Sequence, residues 1–291
     1  MKASGRIDAL GTAFRKIPSF GRRKLAEISV RTVNRNLPSQ RSLIAELLER
    51  DEFLLVIFDA CRFDAFEDMY TDHYDGTLRK VSTTNTYTKQ YQQTMWPDTY
   101  DLTYVAGGPV VSDRTFEQSD LSYRPSEHFD TIVPAWDRGY KKELGVTPPE
   151  AVTEVAQETD ADRMIVHYFQ PHAPYIGETR LRESHDLSAD GTAKIETRVE
   201  SLKQIYEQIE TGEIDNDNLE AAYYSNLERV MRAAKQLVAD VDRPTMITSD
   251  HGELLGEDGR YLHGGRPHPV LCTLPWLNVS EPVGKITTPS V

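Results

Sequence analysis

The sequence predicts an α/β fold with a mostly parallel central sheet and helices on both faces. Residues 53–58, FLLVIF, form a continuous apolar run of the kind that a strand covered on both faces shows. Residues 245–248, TMIT, indicate a second strand, and apolar stripes at helical spacing occupy 148–159 and 216–241. Strands that alternate with helices are typical of a parallel sheet.

The remaining elements follow from shorter patterns. Further strands are predicted at 102–107, 131–136 and 269–279, and residues 163–175 are predicted to form a strand that ends in a loop. A Ser/Thr/Asn cluster precedes a helix that begins at Thr88 and is stopped by Pro97. Residues 176–215 are polar and acidic, and we interpret them as an insertion over the sheet edge with a helix at 195–209.

Charge divides the chain into a basic arm and an acidic body. The 291 residues carry 33 Lys+Arg and 46 Asp+Glu, but residues 1–50 alone hold 11 and 4 of them. We therefore predict a basic, partly helical N-terminal arm at 1–45 and one catalytic domain at 46–291. The arm could lie on an anionic membrane surface or pack on an acidic body.

Composition excludes several classes of protein. A net charge of -13 argues against nucleic acid as a partner and resembles that of proteins from high salt, so we expect a halophilic source. Two cysteines give no disulfide framework, and no apolar run suits a signal peptide or a membrane span. The expected location is the cytoplasm, with peripheral contact at the inner membrane surface as an addition.

Candidate site residues follow four separate strand ends, one of which carries the Ser/Thr/Asn cluster at 82–88. Asp59 ends the first strand, His167 and His172 lie at the end of a later one, and Asp250 with His251 follows 245–248. Parallel strands place their carboxyl ends at one edge, so these side chains can meet there. Carboxylate oxygen with imidazole nitrogen favours Zn or Mn as the divalent metal over Ca or Mg.

Three segments resemble the alkaline phosphatase and sulfatase superfamily. They are LLVIFDACRFDAF, IVHYFQPHAPY and SDHGELLGEDGRYLHGG, in the family's order. The second is similar to the HxxxPHxPY signature of sulfatases. The third is similar to the SDHGE…YLHG signature of sulfatases and of phosphoethanolamine and lipoteichoic acid type transferases. The resemblance covers about residues 50–280 and implies an alkaline phosphatase-like fold.

The resemblance also implies site residues. Asp59, Asp250 and His251 would hold a metal beside the nucleophile. His172 and His263 would bind a second metal or the ester's oxygens, so we assign His263 to the metal set and His172 to the catalytic set. A hydroxyl nucleophile belongs at the start of the helix that follows the Ser/Thr/Asn cluster. Thr86 is the first choice by spacing, Thr84 the next, and Ser82 and Thr88 remain alternatives.

The predicted function is metal-dependent hydrolysis or transfer of phosphate or sulfate esters, lipid- or glycan-linked ones among them. The cysteine of formylglycine sulfatases has no counterpart, since Cys61 lies in CRFDAF and Cys272 in CTLPW. The main alternative is a catalytically inactive sulfatase-like scaffold that docks through its basic arm. A phosphomutase-like enzyme would need a larger cap than 176–215 offers.

Overall fold

A seven-stranded sheet with the order β2-β9-β6-β1-β5-β3-β4 forms the centre of the protein. The structure is a computed structural model that describes residues 19–119, 121–181, 205, 207–209 and 211–282. The strands of the sheet are β1 (Phe53–Asp59), β2 (Tyr74–Ser82), β3 (Tyr100–Ala106), β4 (Phe129–Pro134), β5 (Arg163–Pro171), β6 (Thr245–Ser249) and β9 (Thr273–Pro282). A separate hairpin pairs β7 (Leu254–Leu255) with β8 (Tyr261–Leu262).

Five neighbouring strands, β6, β1, β5, β3 and β4, are parallel. The strand β9 is antiparallel to β6 and β2 is antiparallel to β9, so the exception to parallel pairing lies at one edge. The predicted fold class, α/β with a mostly parallel sheet, is confirmed. The strand β2 was not predicted, because its sequence YDGTLRKVS has no apolar run and most of it is exposed or half-buried at the edge.

Helices cover both faces of the sheet, as predicted. In chain order they are α1 (Ser19–Val33), α2 (Gln40–Leu48), α3 (Phe63–Met69), α4 (Thr88–Met95), α5 (Asp113–Glu117), α6 (Ala135–Gly139), α7 (Pro149–Gln157), α8 (Asn216–Asp240) and α9 (Pro269–Cys272). Alternate β1 side chains enter two different cores. Leu54, Val56 and Phe58 pack with α3, α7 and α8, whereas the intervening residues pack with α2 and α4. This explains why β1 is apolar throughout.

The strand predicted at 269–279 is wrong in its first four residues. Residues Pro269–Cys272 form the short helix α9, and β9 begins only at Thr273. Proline at the first helical position fits a helix start, and the ring of His268 accepts a hydrogen bond from the Val270 N–H. This helical turn sets the position of the segment that follows Asp250, because the Gly252 N–H donates to the Leu271 carbonyl (3.0 Å).

The described part of the basic arm packs on the body. Val30 of α1 contacts Leu254, Leu271 and Cys272. Ile44 and Leu47 of α2 lie in the core beneath the sheet, so the predicted boundary between residues 45 and 46 falls inside α2. Residues 1–18 and most of the helix predicted at 195–209 lie outside the described residues. No helix in the described ranges is both long and apolar enough to cross a membrane.

Candidate active site

Two neighbouring strand ends bring together Asp59, Asp250 and His251, here called the aspartate group. The strands β1 and β6 are parallel and in register from Leu54↔Thr245 to Phe58↔Ser249, so the residues that follow them lie side by side. His251 Nε2 is 3.4 Å from Asp59 Oδ1 and 3.4 Å from Asp250 Oδ2. All three side chains are buried, and one ligand atom of each lies within 4.8 Å of the others.

Backbone groups fix one oxygen atom of Asp250 and leave the other free. Asp250 Oδ1 accepts hydrogen bonds from the N–H groups of Ala60 (3.0 Å) and His251 (2.9 Å). Asp250 Oδ2 and Asp59 Oδ1 are buried and have no hydrogen-bond partner among the described residues. Two unpaired carboxylate oxygens therefore point into the same small space.

A sharp turn after β1 supplies the Ala60 N–H. Ala60 has a φ of 62°, in the left-handed region that non-glycine residues seldom adopt. The Tyr223 hydroxyl of α8 donates to the Ala60 carbonyl (2.8 Å) and accepts from the Arg62 N–H (2.9 Å). Ser249 Oγ accepts from the Cys61 N–H (2.9 Å). Neighbouring elements thus hold the turn in a strained conformation that orients Asp59.

The aspartate group is electrostatically frustrated in the absence of a cation. Burial raises the pKa of Asp250, and the nearby charge of Asp59 raises it further. Burial acts in the same direction on Asp59, but His172 and His251 outweigh it and hold its pKa below the usual range. Burial lowers the pKa of His251, yet Asp250 and Asp59 together raise it to about 9. Buried like charges of this kind are stable only with compensating positive charge.

The hydroxyl beside the aspartate group belongs to Thr88, the first residue of α4. Thr88 Oγ1 donates to Asp59 Oδ2 (3.5 Å) and lies 3.5 Å from His251 Nε2. Thr86, the first choice from the sequence, has its Oγ1 directed to Gln90 Oε1 (3.4 Å) instead. Thr84 is exposed, and Ser82 Oγ donates to the Pro38 carbonyl (3.2 Å). Of the four sequence candidates, the structure places Thr88 at the site.

His172, Glu253 and His263, here called the histidine group, lie next to the aspartate group. One ligand atom of each lies within 4.8 Å of the others. The His263 ring centroid is 4.8 Å from that of His172 and 4.4 Å from that of His251. Both carboxylate oxygens of Glu253 are 3.2 Å from His263 Nδ1. The structure therefore brings the predicted residues His172 and His263 together and joins them to the aspartate group through His251.

Glu253 was not among the site residues predicted from the sequence. Glu253 is buried and faces His263, whereas Arg62 pairs with Asp64 (2.6 Å) and Glu257 (2.7 Å). The sequence feature that could have identified Glu253 is its position two residues after His251 in the segment SDHGELLGEDGRYLHGG. Tyr223 gave no signal beyond its place on the buried stripe of α8.

His167 belongs to neither group. Its Nε2 is 3.9 Å from Asp250 Oδ2, and its Nδ1 is 2.7 Å from the Tyr104 hydroxyl. Burial lowers the pKa of His167, although Asp250 and Asp59 act in the opposite direction. The sequence left this residue open as a core histidine, and the structure places it in the core at the edge of the site.

No protein-family model matches the sequence, and no curated protein matches it. Solved structures are similar at low identity. The C-terminal periplasmic domain of the phosphoethanolamine transferase EptC from Campylobacter jejuni is 12% identical, with 77% of each chain covered and a TM-score of 0.38. The same domain of EptC from Escherichia coli, in complex with Zn, is 14% identical, with 84% of this chain and 76% of that chain covered and a TM-score of 0.44.

A third similar structure is described as a protein in the alkaline phosphatase superfamily from Vibrio parahaemolyticus. It is 12% identical, with 80% of this chain and 61% of that chain covered and a TM-score of 0.40.

Proposed function

We propose that the protein is a metal-dependent hydrolase or transferase of phosphate or sulfate esters, with Thr88 as its nucleophile. One observation carries the proposal: the Thr88 hydroxyl lies 3.5 Å from both Asp59 Oδ2 and His251 Nε2, at the start of a helix. A helix start attracts an anionic ester, and a threonine hydroxyl needs activation to act as a nucleophile. The motifs that resemble the superfamily support the same chemistry.

The aspartate group fits a divalent cation. Asp59 Oδ1 and Asp250 Oδ2 are buried without hydrogen-bond partners among the described residues, and His251 Nε2 lies 3.4 Å from each. Two carboxylate oxygens and one imidazole nitrogen suit Zn or Mn better than Ca or Mg. A bound cation would lower the pKa of the Thr88 hydroxyl and balance the two carboxylates.

The chain's own residues then account for the reaction. Thr88 Oγ1 attacks the phosphorus or sulfur atom, its proton leaves by way of Asp59 Oδ2, and the bond to the leaving alcohol breaks as that alcohol takes up the proton that Thr88 released. Water, or an acceptor hydroxyl, next attacks the threonine ester and restores the Thr88 hydroxyl. The histidine group is placed to bind the ester's oxygens, or a second cation, through His172, Glu253 and His263.

Alanine substitution of the two threonines tests the nucleophile. We expect Thr88→Ala to reduce turnover of activated aryl phosphate and sulfate esters by at least about a thousandfold. Thr86→Ala serves as the matched control and should change turnover by no more than about threefold, because its hydroxyl contacts Gln90. A larger loss in Thr86→Ala than in Thr88→Ala would reverse the assignment. A phosphorylated or sulfated Thr88 peptide after rapid quenching would identify the covalent step directly.

The basic arm supports a second function, docking on an anionic membrane surface in the cytoplasm. On α1, the apolar side chains of Leu25 and Ile28 are exposed beside the exposed Lys24 and Arg31. Apolar residues flanked by basic ones suit the surface of anionic lipid. Sedimentation with anionic and with neutral vesicles tests this. A Leu25→Glu/Ile28→Glu variant should lose binding, whereas Lys142→Glu, which changes the charge equally at another exposed position, should keep most of it.

If no metal and no esterase activity can be detected while vesicle binding persists, the inactive scaffold becomes the better description. Product analysis with and without a hydroxyl acceptor separates transfer from hydrolysis.

A further inference from the structure

Three buried polar side chains form a chain of hydrogen bonds behind the aspartate group. Gln92 Nε2 lies 2.7 Å from the Tyr104 hydroxyl, which in turn lies 2.7 Å from His167 Nδ1. All three side chains are buried, so water does not compete for these contacts. The three residues come from three elements, α4, β3 and β5.

The donor available fixes the direction of the first hydrogen bond, and we infer the direction of the second from it. The amide nitrogen of Gln92 can only donate, so it donates to the Tyr104 oxygen. The Tyr104 hydroxyl hydrogen is then free to donate to His167 Nδ1. A neutral imidazole that accepts at Nδ1 carries its hydrogen on Nε2.

The Nε2–H of His167 faces the aspartate group and is not used elsewhere. His167 Nε2 lies 3.9 Å from Asp250 Oδ2. Neither atom has a hydrogen-bond partner among the described residues. This distance is too long for a hydrogen bond. An oxygen atom of an ester or of a water molecule at this edge could accept from Nε2–H.

We propose that Tyr104 and Gln92 are positioning residues that keep His167 in the tautomer with hydrogen on Nε2, and so make it a fixed donor at the edge of the aspartate group. Use of this donor on an ester oxygen rests on the proposed function, but the tautomer itself does not. Neither Tyr104 nor Gln92 touches the site.

The helix α4 carries both Gln92, which begins this chain of hydrogen bonds, and the proposed nucleophile Thr88. Thr88 and Gln92 are four residues apart on α4 and therefore lie on the same side of the helix. A displacement of α4 would move Thr88 and would also break the contact that orients His167. The nucleophile and the donor are thus set by one rigid element.

Nitrogen NMR of the protein labelled with ¹⁵N-histidine tests the proposal, because protonated and unprotonated ring nitrogens have well-separated chemical shifts. The His167 signals are assigned by their absence in His167→Gln. In the metal-free wild type, we expect Nε2 to carry the hydrogen and Nδ1 to be unprotonated. A hydrogen on Nδ1 in the wild type would overturn the proposal.

Tyr104→Phe keeps the ring and removes the hydroxyl, so the two nitrogens of His167 should shift towards a mixture of tautomers. The matched control is Tyr168→Phe, one residue after His167 on β5, where the buried hydroxyl bonds to Thr153 Oγ1 (2.8 Å) instead. An unchanged tautomer in Tyr104→Phe, or an equal change in Tyr168→Phe, contradicts the positioning role.

In an active preparation, Tyr104→Phe should also lower turnover by about tenfold, the usual effect of losing an outer partner of a site residue. The two readouts separate the two proposals. A tautomer shift without any esterase activity in the wild type would leave the positioning role intact and would remove only the proposed function.

Discussion

The aspartate group and the histidine group lie side by side but are built differently. Asp59, Asp250 and His251 follow two central strands, are buried, and are held by backbone N–H groups and by Tyr223. His172 and His263 come from loops, and the side chain of His263 is 18% exposed.

From this difference we expect the aspartate group to retain a bound cation and the histidine group to exchange a bound anion. A buried group with two carboxylates has a strong need for a cation, since the unpaired charges have no solvent. A group of two imidazoles and one carboxylate, open on one side, can release and rebind an anion. We therefore expect the aspartate group to hold its metal through the reaction and the histidine group to contact the part of the ester that changes.

The largest effect is expected for Asp250→Asn. The amide oxygen can still accept from the Ala60 and His251 N–H groups, but one of the two negative charges that would bind a cation is lost. Turnover should fall at least about a thousandfold, and metal measured after dialysis should disappear. Because burial and the charge of Asp59 raise the pKa of Asp250, the metal-free variant should melt at a higher temperature than the metal-free wild type.

Asp258→Asn is the control for this substitution, since the Asp258 side chain is 74% exposed. If Asp250→Asn retains its metal, the aspartate group is not the cation site.

A smaller effect is expected for Glu253→Gln in the histidine group. The substitution removes the carboxylate that contacts His263 and should lower turnover by about 10- to 100-fold, without changing the metal held by the aspartate group. Turnover and metal content are measured on the same sample. Glu220→Gln, at an exposed position of α8, is the control. Loss of all metal in Glu253→Gln would show that the two groups are one site.

The pH dependence of stability should differ between the metal-free and the metal-bound protein. The pKa of His251 is raised from 6.5 to about 9 in the folded, metal-free protein, chiefly because Asp250 and Asp59 outweigh the effect of burial. A raised pKa stabilises the folded protein below pH 6.5, and this contribution is lost as the pH rises to about 9. Thermal melting with a chelator should therefore show decreasing stability over this range.

With metal present the trend should reverse, because the cation binds the neutral imidazole. The substitution His251→Gln should remove both trends. A wild-type protein whose metal-free stability is flat from pH 6.5 to 9 would contradict the assignment of His251.

The smallest effect is expected for Tyr223→Phe, which removes the hydroxyl that holds the turn after β1 by two hydrogen bonds. The Ala60 carbonyl and the Arg62 N–H lose their partner, so the free energy of unfolding should fall by about 1–3 kcal/mol. Turnover should fall only severalfold, as Asp59 becomes less well oriented. Tyr224→Phe is the neighbouring control, because that hydroxyl contacts Asp68 (3.1 Å) at the surface. Equal losses in both variants would mean that the turn does not depend on Tyr223.

The sequence predicted the positions of Asp59 and Asp250 because both follow apolar strands whose ends can be recognised without a structure. The hydroxyl that lies beside the aspartate group, Thr88, was harder to predict. In the segment Thr86-Tyr87-Thr88 either threonine could begin the helix, and only the structure shows that α4 starts at Thr88 with Tyr87 as its N-cap. Helix boundaries depend on tertiary packing, so local sequence does not determine them to one residue.

The partners of the site residues were not predictable for a different reason. Tyr104 contacts His167 across a strand pair, and Gln92 reaches Tyr104 from a helix on the sheet face. Such contacts depend on which strands are neighbours, and the order of the sheet differs from the order of the chain. The short helix α9 was also missed, because PVLC has the composition of a strand and only its cap at His268 distinguishes it.

Two segments more than 200 residues apart in the sequence meet behind the aspartate group. Gln40 Nε2 donates to the Ser249 carbonyl (2.6 Å) and to Thr248 Oγ1 (3.1 Å), and Asn34 Nδ2 donates to the Cys272 carbonyl (3.0 Å). During synthesis, Asn34 and Gln40 are made long before Asp250 and Cys272. The aspartate group can therefore reach its final arrangement only after the chain has been made at least as far as Cys272, so binding of a cation is expected to follow the synthesis of this region rather than guide it.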